Sequence, residues 1–218
     1  MAKLNSTIEY HLAELAVATD ASRPERVLPA LTESDRVILD VGCGIGQSFV
    51  ALGCLDRTCI GVDIDEEAIA YGRSRFGDRI QYVVAEATEL PVASGTVDLL
   101  ISRVTLPYTN IPRALEEARR VLRDGGRIWL TLHSREMVLE WLGQTVRDRA
   151  PRASLQRVYT LLNGYALKHL GLVFPFLNGA YESWQDVPAT LQLLAKYGFD
   201  ARELDAGKHC LVIGQLSR

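Results

Sequence analysis

Val37-Ile38-Leu39-Asp40-Val41-Gly42-Cys43-Gly44-Ile45-Gly46 is the stretch whose reading decides the fold. A short apolar run that closes abruptly on glycines reads as a strand buried inside a sheet. The turn after it needs glycine because a side chain there would keep a ligand off the backbone, and because positive φ angles resist other residues. Free N–H groups at the start of the helix that follows can meet an anionic ligand group. Outward from this turn the same texture repeats in Thr58–Asp63, Ile80–Val84, Val97–Ile101 and Arg127–Leu132. Strands of this kind alternating with helical segments predict a mostly parallel sheet covered by helices.

The intervening helices are signalled by spacing. Ile111, Ala114, Leu115, Ala118, Val121 and Leu122 recur at three- and four-residue intervals and form one stripe. That helix is expected to run to Asp124-Gly125-Gly126, where glycine turns the chain into the fifth strand. Asp65-Glu66-Glu67 reads as an N-cap and first turn rather than a metal site. From Arg135 to about Tyr181 the texture changes to helical segments rich in Leu, Tyr, Phe and Trp, broken at Pro151 and Pro175. A helix from about Asp186 to Tyr197 and strands at Phe199–Leu204 and Cys210–Leu216 close the chain. The expected organisation is one domain: an N-terminal helical segment (1–35), a ligand-binding core (36–134), a helical lid (135–185) and the closing helix and strands (186–218).

Composition narrows the function. The chain has 218 residues, 48% of them hydrophobic, enough to bury one core. Its net charge of −3 comes from 24 basic and 27 acidic residues, which offers no cationic field for a nucleic acid. Met1-Ala2-Lys3-Leu4-Asn5-Ser6 leads into a stretch broken by Glu9, His11 and Glu14, so neither a signal peptide nor a membrane span is expected. Cys43, Cys54, Cys59 and Cys210 form no Cys-x-x-Cys pair and read as reduced thiols of a cytoplasmic protein, and no metal is expected.

A nicotinamide fingerprint wants G-x-G-x-x-G, but Gln47 stands where its last glycine belongs and the frame here is G-x-G-x-G. Asp63, about twenty residues on, supplies the carboxylate that a ribose diol requires. With Asp40–Gly46 these residues are joined by Gly61-Val62-Asp63-Ile64, Glu86-Ala87-Thr88-Glu89-Leu90-Pro91, Val97-Asp98-Leu99 and Ala114–Gly126. In this order and spacing the set resembles the class I S-adenosylmethionine-dependent methyltransferases, particularly the small-molecule group that includes quinone-biosynthesis enzymes. The resemblance implies a Rossmann-like, seven-stranded, mostly parallel sheet with helices on both faces and a helical insertion after the fifth strand.

It also implies a cofactor site for S-adenosylmethionine, with S-adenosylhomocysteine as product, made by Asp40, Gly42, Cys43, Gly44, Gln47, Asp63, Ile64, Glu86, Ala87, Ser102 and Arg103. Within that set Gly42–Gly44 would lie along the methionine portion, Asp63 would hold the ribose and Ile64 would pack on adenine. Glu86 and the Ala87 N–H would meet the adenine edge, with Ser102 and Arg103 near the sulfonium. Glutamate at 86 departs from the family's usual aspartate, and its extra methylene displaces the carboxylate.

The partner implied is a small organic acceptor. His133, at the carboxyl edge of the sheet, is either a strand cap or a general base, with Tyr108 and His11 as alternatives. Trp141, Tyr159, Tyr165, Phe174, Phe176, Tyr181 and Trp184 suit a hydrophobic or aromatic acceptor. Against this, Leu155, Val158, Leu161, Leu162, Tyr165 and His169 fall at helical spacing and read as core. Arg147, Arg149, Arg152 and Arg157 read as a solvated helix face. A noncatalytic cofactor-binding protein and a nicotinamide-dependent oxidoreductase remain the alternatives.

Overall fold

The structure, a computed structural model, describes residues 6–23, 26–206 and 209–217. Met1–Asn5, read above for a leader, lie outside it. Seven strands form one sheet: β1 (Val37–Val41), β2 (Thr58–Asp63), β3 (Gln81–Val84), β4 (Val97–Arg103), β5 (Leu122–Leu132), β6 (Phe199–Ala206) and β7 (His209–Leu216). Their order is β3-β2-β1-β4-β5-β7-β6, with β7 the antiparallel strand inserted between β5 and β6. The helices are α1 (Ser6–Thr19), α2 (Gln47–Leu52), α3 (Glu66–Phe76), α4 (Ile111–Val121), α5 (Arg135–Arg147), α6 (Pro151–Leu170) and α7 (Val187–Lys196). Among the described residues none between α1 and β1 is helical, so the expected N-terminal helical segment is described as helix only to Thr19.

Strand side chains alternate between faces, and that alternation divides the core in two. Leu39, Leu100, Ile128 and Leu130 point to the face covered by α4 and α7, where they meet Leu115, Ala118 and Leu194. Ile38, Leu99, Ile101 and Trp129 point to the other, against Phe49 of α2 and Ile69 of α3. The α4 stripe read from spacing is the buried face of that helix. Asp65 caps α3 as expected, accepting from the backbone N–H groups of Glu67 and Ala68.

The fifth strand begins earlier than expected. Leu122 pairs with Val97, but the next pair is Leu99 with Arg127. Residues 123–126 therefore bulge out of the ladder, with Gly125 at φ 72° making the bend. Helix α4 stops at Val121 because Leu122 is already extended and fully buried.

Asp98 is the fastener of the sheet's entry edge. Its Oδ2 accepts from the backbone N–H groups of Arg36 (2.8 Å) and Val37 (2.7 Å), and its Oδ1 from the Arg123 guanidinium. Burial alone would raise its pKa, but the Arg123 and backbone hydrogen bonds outweigh burial and lower it.

Over the carboxyl edge sit α5, α6 and a buried strip, Glu182-Ser183-Trp184-Gln185. The strip is stitched both ways. Ser183 N–H donates to Pro107 and Gln185 N–H to His133, while Asn163 donates to the Glu182 carbonyl and Trp184 Nε1 to Leu161.

Candidate functional site

The carboxyl ends of β1, β2, β3 and β4 surround a cavity of about 360 Å³, within the range of small-molecule sites. Gly42, Asp63, Ile64, Glu86 and Ala87 line one part of it. Thr105, Tyr108, Asn110 and Arg113 line another, and Ala180 and Tyr181 descend from the lid. Of the residues singled out from sequence, Gly42, Asp63, Ile64, Glu86, Ala87, Tyr108 and Tyr181 thus share one space.

Asp63 ends β2 and ties two turns together: Oδ2 accepts from Gly44 N–H (2.8 Å) and Oδ1 from Asp65 N–H (3.0 Å). Each carboxylate oxygen keeps further accepting capacity for a diol. Ile64 is exposed and free to cover a flat ring. Glu86 is also exposed, and its Oε2 accepts from Thr88 Oγ1 at 3.1 Å, so the longer side chain is turned back on its own loop.

The glycine turn has positive φ at Gly42, Gly44 and Gly46. A Cβ on Gly42 would stand 1.8 Å from Thr105 Oγ1, and one on Gly44 would stand 2.5 Å from His11 Nδ1. Thr105 and the α1 residue His11 therefore already lie against the bare backbone. His11 Nδ1 is 3.4 Å from Gln47 Nε2, and Gln47 Oε1 accepts from Ile45 N–H. Arg103 pairs with Glu14 of α1 at 3.5 Å.

Asp40 is buried beneath this turn, and its Oδ1 lacks a hydrogen-bond partner. Burial pushes its pKa up to about 7, against the opposing influence of a Ser48 hydrogen bond and the Arg103 charge. Cys43 packs its thiol over Gly61, and burial raises its pKa well above the ordinary range. Ser102 is buried, its hydroxyl accepts from Leu106 N–H, and it does not line the cavity.

His133 does not line the cavity. It lies one ring behind Tyr108, edge-on at 5.1 Å, with Trp141 edge-on at 5.1 Å on another side. Burial, with the Arg157 charge, pushes its pKa down to about 4, and its Nδ1 has no partner. Arg157 lies over the Trp141 ring at 4.9 Å and pairs with the buried Glu182, so it is not part of a solvated face. Tyr108 is pushed up to about 12 by burial and by Glu182.

Thr105, Thr109, Asn110 and Arg113 were not read from the sequence as site residues. The available signal was Asn110-Ile111-Pro112, a capped helix start at the sheet's carboxyl edge, where Asn110 Oδ1 accepts from Arg113 N–H.

Residues 39–130 match the family described as methyltransferase domain. A demethylmenaquinone methyltransferase of Clavibacter sepedonicus is 30% identical over 177 residues, covering 78% of this chain and 69% of that one. A Mycobacterium tuberculosis protein named as a probable S-adenosylmethionine-dependent methyltransferase is 32% identical over 112 residues, covering 51% of this chain. The chain spans about 40% of the length of that mycobacterial relative. A structure of the complex between the Trm112 methyltransferase activator of Haloferax volcanii and a methyltransferase superposes with a TM-score of 0.65 at 14% identity, covering all of both chains, a likeness of fold. The chain belongs to the S-adenosylmethionine-dependent methyltransferases.

The nucleoside part of that cofactor fits what is present: a carboxylate with accepting capacity at Asp63, an exposed apolar cover at Ile64 and the Glu86–Ala87 edge. The unpartnered Asp40 oxygen suits the ammonium group of an amino-acid tail. Over the glycine turn, that tail would share its space with Thr105 and His11.

Proposed function

We infer that the protein transfers a methyl group from S-adenosylmethionine to a hydrophobic, ring-bearing acceptor whose own acidity supplies the nucleophile. The observation that carries this reading is the single cavity that joins Asp63, Glu86 and Ala87 to Tyr108, Ala180 and Tyr181. When bound, the donor supplies an electrophilic methyl carbon on sulfur. The chain's own task is to align the acceptor and exclude water.

Tyr108 and Tyr181 give the acceptor flat apolar faces. Tyr108 stays protonated at neutral pH and so can donate a hydrogen bond to an acceptor oxygen. His133 acts behind it as a positioning residue, because an imidazole with a pKa of about 4 is a weak base at neutral pH. No imidazole lines the cavity among the described residues. This favours phenol-, quinol- or enol-like acceptors, whose nucleophilic anion forms by loss of the proton to bulk water rather than to a protein base. The quinol form of demethylmenaquinone, the quinone named for the Clavibacter relative, is of this chemical kind.

Turnover with methyl-labelled donor across alkylated quinols, phenols, amines and polar acids tests the proposal. Label should appear in the quinols and phenols. Labelling confined to amines or acids would overturn the acceptor assignment. Tight S-adenosylhomocysteine binding with no labelled product across the panel would favour a noncatalytic binding protein.

A further inference from the structure

Helix α6 is built inside out. Its 20 residues span about 30 Å, and the face it buries carries Thr160, Asn163, Gly164 and Leu167. The polar groups on that face are used inward. Asn163 Nδ2 donates to the Phe174 and Glu182 carbonyls, its Oδ1 accepts from Phe174 N–H, and the Thr160 hydroxyl donates to the Gln156 carbonyl. Toward solvent the helix presents Leu155, Val158, Leu162 and Tyr165, with Leu162 65% exposed. These four fall within one narrow arc at 100° per residue. The loop after α6 extends the same apolar character through Leu172, Phe174 and Leu177, the last 91% exposed.

Charge sorts with this face. Residues 149–181 contain no Asp or Glu and four cations, so of the chain's net −3 this stretch contributes +4 and the remainder −7. Arg157 and Lys168 are paired with Glu182 and Asp186, while Arg149 and Arg152 are exposed at the N-terminal end of the helix. An apolar stripe with the exposed Arg149 and Arg152 at one end and no carboxylate on the helix or the loop after it fits acyl chains beneath anionic headgroups. A protein partner would need hydrogen-bonding groups around the contact, and Thr160 and Asn163 of this helix are turned inward. Among the described residues no helix is long and apolar enough to cross a membrane, so the contact is one of lying on the surface.

We propose that the outward face of α6 and the loop that follows it dock the protein on an anionic lipid bilayer. Ala180 and Tyr181, three and four residues beyond Leu177, line the cavity, so docking turns its lid side toward the membrane. A lipid-dissolved acceptor would then enter without crossing water, a consequence that rests on the acceptor reading above.

Flotation of the full chain with phosphatidylcholine vesicles, with and without phosphatidylglycerol, tests the docking without donor or acceptor present, so its outcome is independent of turnover. Two arginines at an anionic surface should tighten binding roughly thirtyfold over neutral vesicles. The double substitution Leu162→Glu and Leu177→Glu should weaken binding to anionic vesicles at least about tenfold, with S-adenosylhomocysteine affinity and circular dichroism unchanged. Absence of binding, or equal binding to both vesicle types, overturns the proposal. So does a dimer in solution that the double substitution dissolves, because that would assign the face to a second copy of the chain.

Discussion

Asp40→Asn separates the cost of a buried charge from its use. In the folded protein the Asp40 carboxyl is pushed from the ordinary 3.8 to about 7. At about 1.4 kcal/mol per pKa unit, ionising it inside the fold costs on the order of 4 kcal/mol relative to the unfolded chain. The folded value lies above the unfolded one, so below about pH 4 both states are protonated and nothing is lost. Stability then falls as pH rises toward about 7 and is level beyond it. Asparagine has nearly the same shape and no charge to desolvate. It should match the wild type near pH 4.5 and exceed it by an amount growing to about 3 kcal/mol at pH 8, after about 1 kcal/mol for the weakened Ser48 contact. Urea unfolding followed by tryptophan fluorescence at a series of pH values measures this directly. Affinity for S-adenosylhomocysteine should drop in the same variant, since the unpartnered Asp40 oxygen suits the ammonium of the cofactor's tail. Unfolding curves for the two proteins that run parallel from pH 4.5 to 8, or an Asn variant that is weaker at pH 8, would refute the reasoning.

Val104 has φ 57°, a backbone conformation that a β-branched residue adopts at a cost, and it is partly exposed, so Val104→Asn should stabilise the fold by about 1 kcal/mol in the same assay. Asp98→Ala strands two backbone N–H groups and Arg123, and should cost about 3 kcal/mol while leaving S-adenosylhomocysteine affinity within twofold by calorimetry. The His133 imidazole, at about 4, stays neutral across the working range, so His133→Gln should leave the shape of the kcat–pH profile between about pH 5.5 and 8 unchanged. An inflection near neutrality in the wild type that disappears in the variant would restore His133 as a base. Gly164→Ala would set a methyl 2.2 Å from the Trp184 ring and should cost about 2 kcal/mol, with a change in tryptophan emission.

The sheet was legible because its signals are local. An apolar run ending in glycine or aspartate marks each of the first two strands, and Asp63 and Gly42 meet simply because β1 and β2 pair in register, Val41 opposite Val62. The fifth strand's early start was hidden because a bulge leaves no periodicity to read: Gly125-Gly126 looks the same as a helix stop or as a bend within a strand. The lid misled for a different reason. Helical spacing of Leu155, Val158, Leu162 and Tyr165 identifies a face but not the side that is buried, and here a hydrogen-bonded asparagine and a glycine seated on Trp184 face inward instead. His169 is likewise exposed rather than core. His11 was singled out only as an alternative base, yet it stands over Gly44, a contact 33 residues apart in sequence that no local pattern encodes.

The buried Glu182–Gln185 strip has a consequence for how ligands come and go. Because it is hydrogen-bonded to the rim of the sheet at Pro107 and His133 and to α6 at Asn163 and Leu161, the helices above the cavity form a fixed roof. They cannot swing open without breaking either the bonds that hold the strip to the sheet rim or those that hold it to α6. The part of the lid that lines the cavity, Gly179, Ala180 and Tyr181, belongs to the connecting run after α6 rather than to the helices, so substitutions there, not in α5 or α6, should alter how readily ligands pass.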